Sequence, residues 1–210
     1  MGDQRMQRAR VAILAVCGSV TLMATPALAV QAKTSRMINA CALVTPAEAA
    51  TALGGTYGHG STPKSVKRWK PDKVTQGYGE CLLPLAETSE KGAVLDLVAW
   101  RYLTPDAAPR AFERLVKQDK KVGWKVVEVS GVGDRAAFWP AQADPTQPSG
   151  SGITSPMLYA VAGRHLVRLA DSRGDHTSPD GRKPVADQSA ESPALANLAT
   201  TILNRLATGD

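Results

Sequence analysis

Three stretches predict an α+β fold: an antiparallel sheet with helices packed on one face, in the order helix, strands, helix, strands, helix. Residues 41–55, CALVTPAEAATALGG, encode a short helix with both ends specified. Residues 93–102, AVLDLVAWRY, carry β-branched and aromatic side chains on both faces, as a central strand does. Residues 157–162 and 165–170 flank Gly163-Arg164, a two-residue turn of the glycine-first type that closes a hairpin.

The opening helix is read from its ends inward. Thr45 is an N-cap whose hydroxyl accepts an orphan amide of the first turn, and Pro46 follows where its missing N–H costs nothing. Glu48 stands three residues after Thr45, the spacing of a capping box. Alanines propagate the helix, Leu53 anchors it, and Gly54-Gly55 stop it. So short a helix does not persist alone in water, so docking must hold it.

After it, residues 56–73 mix Gly, Ser, Pro and Lys and read as a weak exposed strand with a long basic loop. Residues 77–85, GYGECLLPL, form a strand that carries Cys81 into the core and ends at Pro84. The second helix starts at Thr104-Pro105-Asp106 and reaches Val122. Ala108, Phe112, Leu115 and Val116 share its apolar face; Arg110, Glu113, Arg114 and the lysines take the other. Pro109 is out of place in a helix interior and marks an alternative first turn. Gly123 ends the helix, residues 124–129 form a strand, and Gly131-Val132-Gly133-Asp134 turns into a strand over 136–139. Residues 141–156 and 172–191 read as loops by composition. The last helix begins at the cap Ser192-Pro193 and buries Leu195, Leu198, Ala199, Ile202 and Leu206.

Residues 1–29 read as an export signal. Arg5, Arg8 and Arg10 precede an apolar run over 11–24, and Ala27-Leu28-Ala29 supplies the small-residue cleavage site. The run is short for a membrane span, which makes an uncleaved anchor the weaker alternative. Val16 precedes Cys17 where lipidation needs a small residue, so Cys17 leaves with the signal. Residues 30–37 then form a flexible lead, and residues 38–208 a single domain with no stable membrane anchor. Cleavage leaves 22 Lys+Arg against 18 Asp+Glu, a formal charge of +4, with the cations concentrated in 64–73 and 117–125. An exported chain so mildly basic has no nucleic acid among its expected partners. Cys41 and Cys81 remain, and an even count in an oxidising compartment favours a disulfide over metal binding or catalysis; two separate buried thiols are the alternative.

No constellation of catalytic residues emerges. Gly131, Gly133 and Ala136 match the letters of a dinucleotide-binding turn, but AAFWP follows and leaves no room for the helix such a turn needs. His59, His165 and His176 lack zinc-ligand spacing. Ser151 with Asp175-His176 has no nucleophile elbow. No cofactor is implied. Of the four tryptophans, Trp100 and Trp124 read as core. Trp69, within Lys67-Arg68-Trp69-Lys70, reads as an exposed lid or contact surface, or equally as a ring packed under lysine stems.

The run Cys-Ala-Leu-Val-Thr-Pro-Ala-Glu-Ala with Leu53-Gly54, then Cys81-Leu82, then residues 129–136, VSGVGDRA, resembles a family. It is similar to bacterial cell-envelope domains of the Cys-x-Leu-Leu-Thr-x-x-Glu-Ala type, common in actinobacterial lipoproteins. Those domains look in turn like the extracellular sensor domain of PknH-type receptor kinases. The resemblance covers residues 41–168. It implies an α+β fold, a Cys41–Cys81 disulfide, and binding of an envelope ligand or protein, with no family catalytic residue to carry over. The expectation is an exported, non-enzymatic domain that binds a small ligand or a protein partner. Residues Lys67, Arg68, Trp69 and Lys70 form its expected surface. An enzyme of unrecognised type and a secreted inhibitor or immunity-like protein compete with it.

Overall fold

The computed structural model describes residues 36–66, 70, 73–85, 94–142, 154–172 and 191–209. Its strands are β1 (Arg36–Met37), β2 (Thr75–Pro84), β3 (Val94–Tyr102), β4 (Val127–Val129), β5 (Arg135–Trp139), β6 (Met157–Ala162) and β7 (His165–Asp171). Its helices are α1 (Pro46–Leu53), α2 (Ala107–Lys121) and α3 (Glu191–Thr208). The strands form one sheet in the order β1-β2-β3-β7-β6-β5-β4. Strands β2 to β7 are antiparallel throughout, and β1 adds in parallel to β2. The fold is α+β and keeps the expected order of helices and strands.

The α1 cap forms as its residues dictate. The Glu48 amide donates to Thr45 Oγ1 at 3.2 Å, and Glu48 Oε2 accepts from the Thr45 amide at 2.9 Å. Gly54 (φ 76°) closes the helix. In α2, Pro109 lies in the first turn, where no intrahelical hydrogen bond needs its N–H, so the helix begins at Ala107 rather than Thr104. The β6–β7 hairpin has the expected bounds but for one residue at Asp171, with Gly163 (φ 53°) in its turn.

The helices do not share one face. α1 and α3 cover the side of the sheet that carries Cys81, Leu83, Leu95, Leu97, Leu158, Ala160, Val167 and Leu169. α2 covers the opposite side, placing Ala108 and Phe112 against Trp139, Tyr159, Val161 and Leu166. The cause is written in the strands. The run Leu158-Tyr159-Ala160-Val161 is buried on both faces, and a strand apolar on both faces needs a layer on each. Each fully buried Leu or Ile here contributes roughly 1.5–3 kcal/mol, so leaving either side open is costly.

Three local differences follow. Arg36–Met37, at the end of the segment expected to be a flexible lead, pairs with Gly77 and Tyr78, so the sheet begins there. Residues 57–61 make only isolated bridges, Tyr57 to Leu85 and Ser61 to Leu82, in place of the weak strand expected over 56–73. The strand expected over 124–129 shortens to Val127–Val129, with Trp124 half-buried against the α2 layer.

Candidate functional site

Cys41 and Cys81 are joined, with their Cα atoms 5.0 Å apart. The bridge ties the turn before α1 to β2. Chain passes close over it at Gly60, where a Cβ would meet Cys81 Sγ at 2.5 Å and Cys41 Sγ at 3.2 Å. Of the expected binding surface, Lys70 is exposed, while Lys67, Arg68 and Trp69 lie outside the described residues. Ser151, Asp175 and His176, and residues 1–29, expected to be an export signal, lie outside them too. His165 is buried and accepts a hydrogen bond at Nε2 from Arg101 Nε at 3.3 Å; His59 is exposed. Among the described residues no group of three His, Cys, Asp or Glu stands close enough to hold a metal ion. No described helix is long and apolar enough to cross a membrane.

The glycine pattern at 131–136 is a structural turn. Gly131 and Gly133 have φ of 79° and 56°, and a Cβ on Gly133 would lie 2.2 Å from the Val161 carbonyl oxygen. The Asp134 amide donates to that oxygen at 2.7 Å, and Asp134 Oδ2 accepts from the Gly163 amide at 2.7 Å. The motif locks one turn against another.

A cleft opens where α2 leaves the sheet. On α2, Ala111, Arg114, Leu115 and Gln118 recur at helical spacing and form one wall. The sheet supplies the other: Trp100 and Tyr102 from β3, Tyr159 from β6, Leu166 and Arg168 from β7. Sheet register sets these neighbours, because Trp100 pairs with Leu166, and Tyr159 with Arg168. The cleft holds about 350 Å³, near the lower end of the range for ligand pockets (~300–1,000 Å³).

Arg168 organises the floor. Its Nη2 donates to Asp96 Oδ2, and the guanidinium also bonds the Tyr159 hydroxyl. Burial pushes the Asp96 carboxyl above its ordinary value; Arg168 pulls it down, and Glu80 adds to the rise. Burial likewise raises Tyr159. Beside this cluster the Tyr78 hydroxyl donates to Glu80 Oε2 at 3.1 Å, and its pKa is pushed up to about 12, first by burial and then by the Glu80 charge. Tyr78 packs on Trp100 with ring centroids 5.8 Å apart, and Trp139 on Tyr159 at 4.9 Å. Trp139 Nε1 is satisfied by Asp119 Oδ2 at 2.9 Å, so the aromatic wall is anchored from behind.

A second groove of about 440 Å³ lies between α1 and α3, lined by Ala47, Glu48, Thr51, Ala52, Asn197, Leu198 and Thr201. Its one charged group, Glu48, is committed to Arg205. The α2 cleft is the better site, since it joins aromatic surface to cationic groups.

Reasoning from the sequence missed this site. Trp100 read as core and is only half-buried; Arg114 read as a solvated helix face and lines the cleft. A signal was present: Asp96 stands between Leu95 and Leu97 and Arg168 between Val167 and Leu169, and opposite charges placed so are costly unless they meet. Comparison of the chain with protein-family models, with curated proteins and with solved structures finds no match in any of the three.

Proposed function

We propose that the protein is an exported domain of the cell envelope that binds a small molecule in the α2 cleft and performs no chemistry on it. Export rests on the signal-like residues 1–29, and the Cys41–Cys81 disulfide accords with an oxidising compartment. The observation that carries the binding reading is the cleft itself: about 350 Å³, walled by aromatic rings, with a few polar groups converging on it. None of its lining residues is a carboxylate, imidazole, thiol or aliphatic hydroxyl, and of its two phenols Tyr159 is bonded to Arg168, with a pKa raised by burial. Binding, of a ligand or of a protein partner, is also what the resemblance to cell-envelope domains implies.

The experiment is a thermal-shift screen of the purified protein against fractionated small molecules from envelope extract, with active fractions identified by mass spectrometry. A cleft-bound ligand raises the melting temperature of the wild type and leaves Ala111→Trp, whose indole fills the cleft, unmoved. If no fraction raises the melting temperature, or if A111W responds as the wild type does, the cleft reading fails.

A further inference from the structure

We infer that the cleft selects an anion: a planar apolar molecule bearing a carboxylate or phosphate, held between Arg114 on α2 and Arg168 on β7. The inference rests on the cleft as the binding site and names the class of ligand.

The argument begins with an inventory of donors and acceptors. Each arginine brings five N–H donors and no acceptor, and Gln118 and Trp100 add three more. Against these the lining offers only the Gln118 carbonyl and phenolic oxygens as side-chain acceptors. Asp96 and Tyr159 satisfy part of Arg168, whose side chain stays 26% exposed. Arg114 is exposed and makes no salt bridge among the described residues. A lining so rich in donors is completed by a ligand rich in acceptors. Planar guanidinium forks match carboxylate and phosphate oxygens two at a time, and do so better than they match a neutral hydroxyl.

The rest of the lining sets the body of that ligand. Trp100 and Tyr159 on one side and Leu115 on the other are flat or apolar, and suit a ring system rather than a sugar or a free inorganic ion. Electrostatics favours the same sign, since both charged side chains in the lining are cations, Arg168 paired with Asp96 and Arg114 in no salt bridge among the described residues. A cationic ligand meets Arg114 as an uncompensated like charge; an anion meets it as an opposite one.

Titration calorimetry with four probes on one ring decides the matter: naphthoate, naphthyl phosphate, naphthalenemethanol and naphthylmethylammonium. The wild type binds at least one anion about tenfold or more tighter than the alcohol or the ammonium, and the two anions separate carboxylate from phosphate recognition. Arg114→Gln, on an exposed position that the core does not need, lowers anion affinity about tenfold and removes the preference over the alcohol. Lys121→Gln, an exposed cation of α2 outside the cleft, leaves affinity unchanged. An alcohol or ammonium that binds as tightly as the anions overturns the inference; if A111W abolishes that binding, the cleft remains a small-molecule site. Anion binding that R114Q leaves intact, or that K121Q weakens equally, overturns it too. Should no probe bind, the inference falls, while the extract screen still judges the cleft independently.

Discussion

Asp96 and Arg168 lie 72 residues apart in the chain and meet only because β3 and β7 are neighbours in the sheet. With 19% and 26% of their side chains exposed, neither is in bulk water. Removing one partner strands the other. Arg168→Met should therefore destabilise the fold by ~3 kcal/mol, the low end for breaking a buried pair. The double variant Asp96→Leu/Arg168→Met, which removes both charges, should recover most of that loss. Folding raises the Asp96 pKa from 3.8, chiefly through burial, so ionising Asp96 costs more in the folded state than in the unfolded one. With Arg168 gone the rise is larger, and the R168M deficit should shrink as pH falls through the raised pKa. Urea unfolding of the three proteins at neutral and acidic pH measures this; an R168M deficit independent of pH refutes the account. Two opposite charges set among apolar strand residues were legible; that they meet was not, because register between distant strands is a property of the sheet. Cys41 and Cys81 were legible as partners, because only these two cysteines lie outside the segment expected to be an export signal.

Local elements were the most readable feature, since their ends are specified within a few residues. The Thr45–Glu48 capping box and the Gly163-Arg164 hairpin both form where their residues place them. What α1 docks against was not readable. Arg205 of α3 bonds both Glu48 carboxylate oxygens and donates from Nη1 to the Leu43 carbonyl at 2.8 Å, so it staples α3 to the start of α1. The Glu48 pKa drops from 4.5 to about 2, chiefly through Arg205 and then the Thr45 amide. That contribution is present above pH 4.5 and is lost as pH falls toward 2. Both side chains are a third or more exposed, so a double-mutant cycle over Glu48→Gln and Arg205→Met should give a coupling of only ~0.5–1 kcal/mol at neutral pH. The coupling should weaken as pH falls through 2 and vanish below it; a coupling that does not weaken there refutes the ionic origin. Gly133 makes a second test at this scale. Its φ of 56° and the Val161 oxygen 2.2 Å from its would-be Cβ should make Gly133→Ala cost ~2–4 kcal/mol. Gly131→Ala, with open space around it, should cost only ~1–2 kcal/mol. Equal losses in chemical denaturation refute the close-approach argument.

At the scale of the molecule, the sequence announced an α+β chain but not its layering. Apolar runs say that a strand is covered on both sides; they do not say by which helix. With α2 on one face and α1 and α3 on the other, the cleft belongs to the α2 layer and the disulfide to the opposite one. Stability and binding are thereby separable. The bridge closes a loop of 40 residues and joins the turn before α1 to β2, the strand next to β3 at the edge of the cleft, with Cys81 on the opposite side of the sheet. In the chain-entropy model such a loop is worth ~4 kcal/mol, acting through the unfolded chain. Cys41→Ser and Cys81→Ser should each cost about that much, and the double variant little more, because either single change already breaks the bond. Thermal unfolding of the oxidised protein, both singles and the double, with a free-thiol count on each, is the measurement. Equal melting temperatures across the set would show that the bond holds nothing together. Two titratable thiols in wild-type protein taken from its native compartment would show that it does not form. Naphthoate affinity supplies the cross-check. Measured well below their melting temperatures, the serine variants should bind as the wild type does, since no cleft residue touches the bridge. A loss of binding that parallels the loss of stability would mean that the two layers are coupled through the sheet.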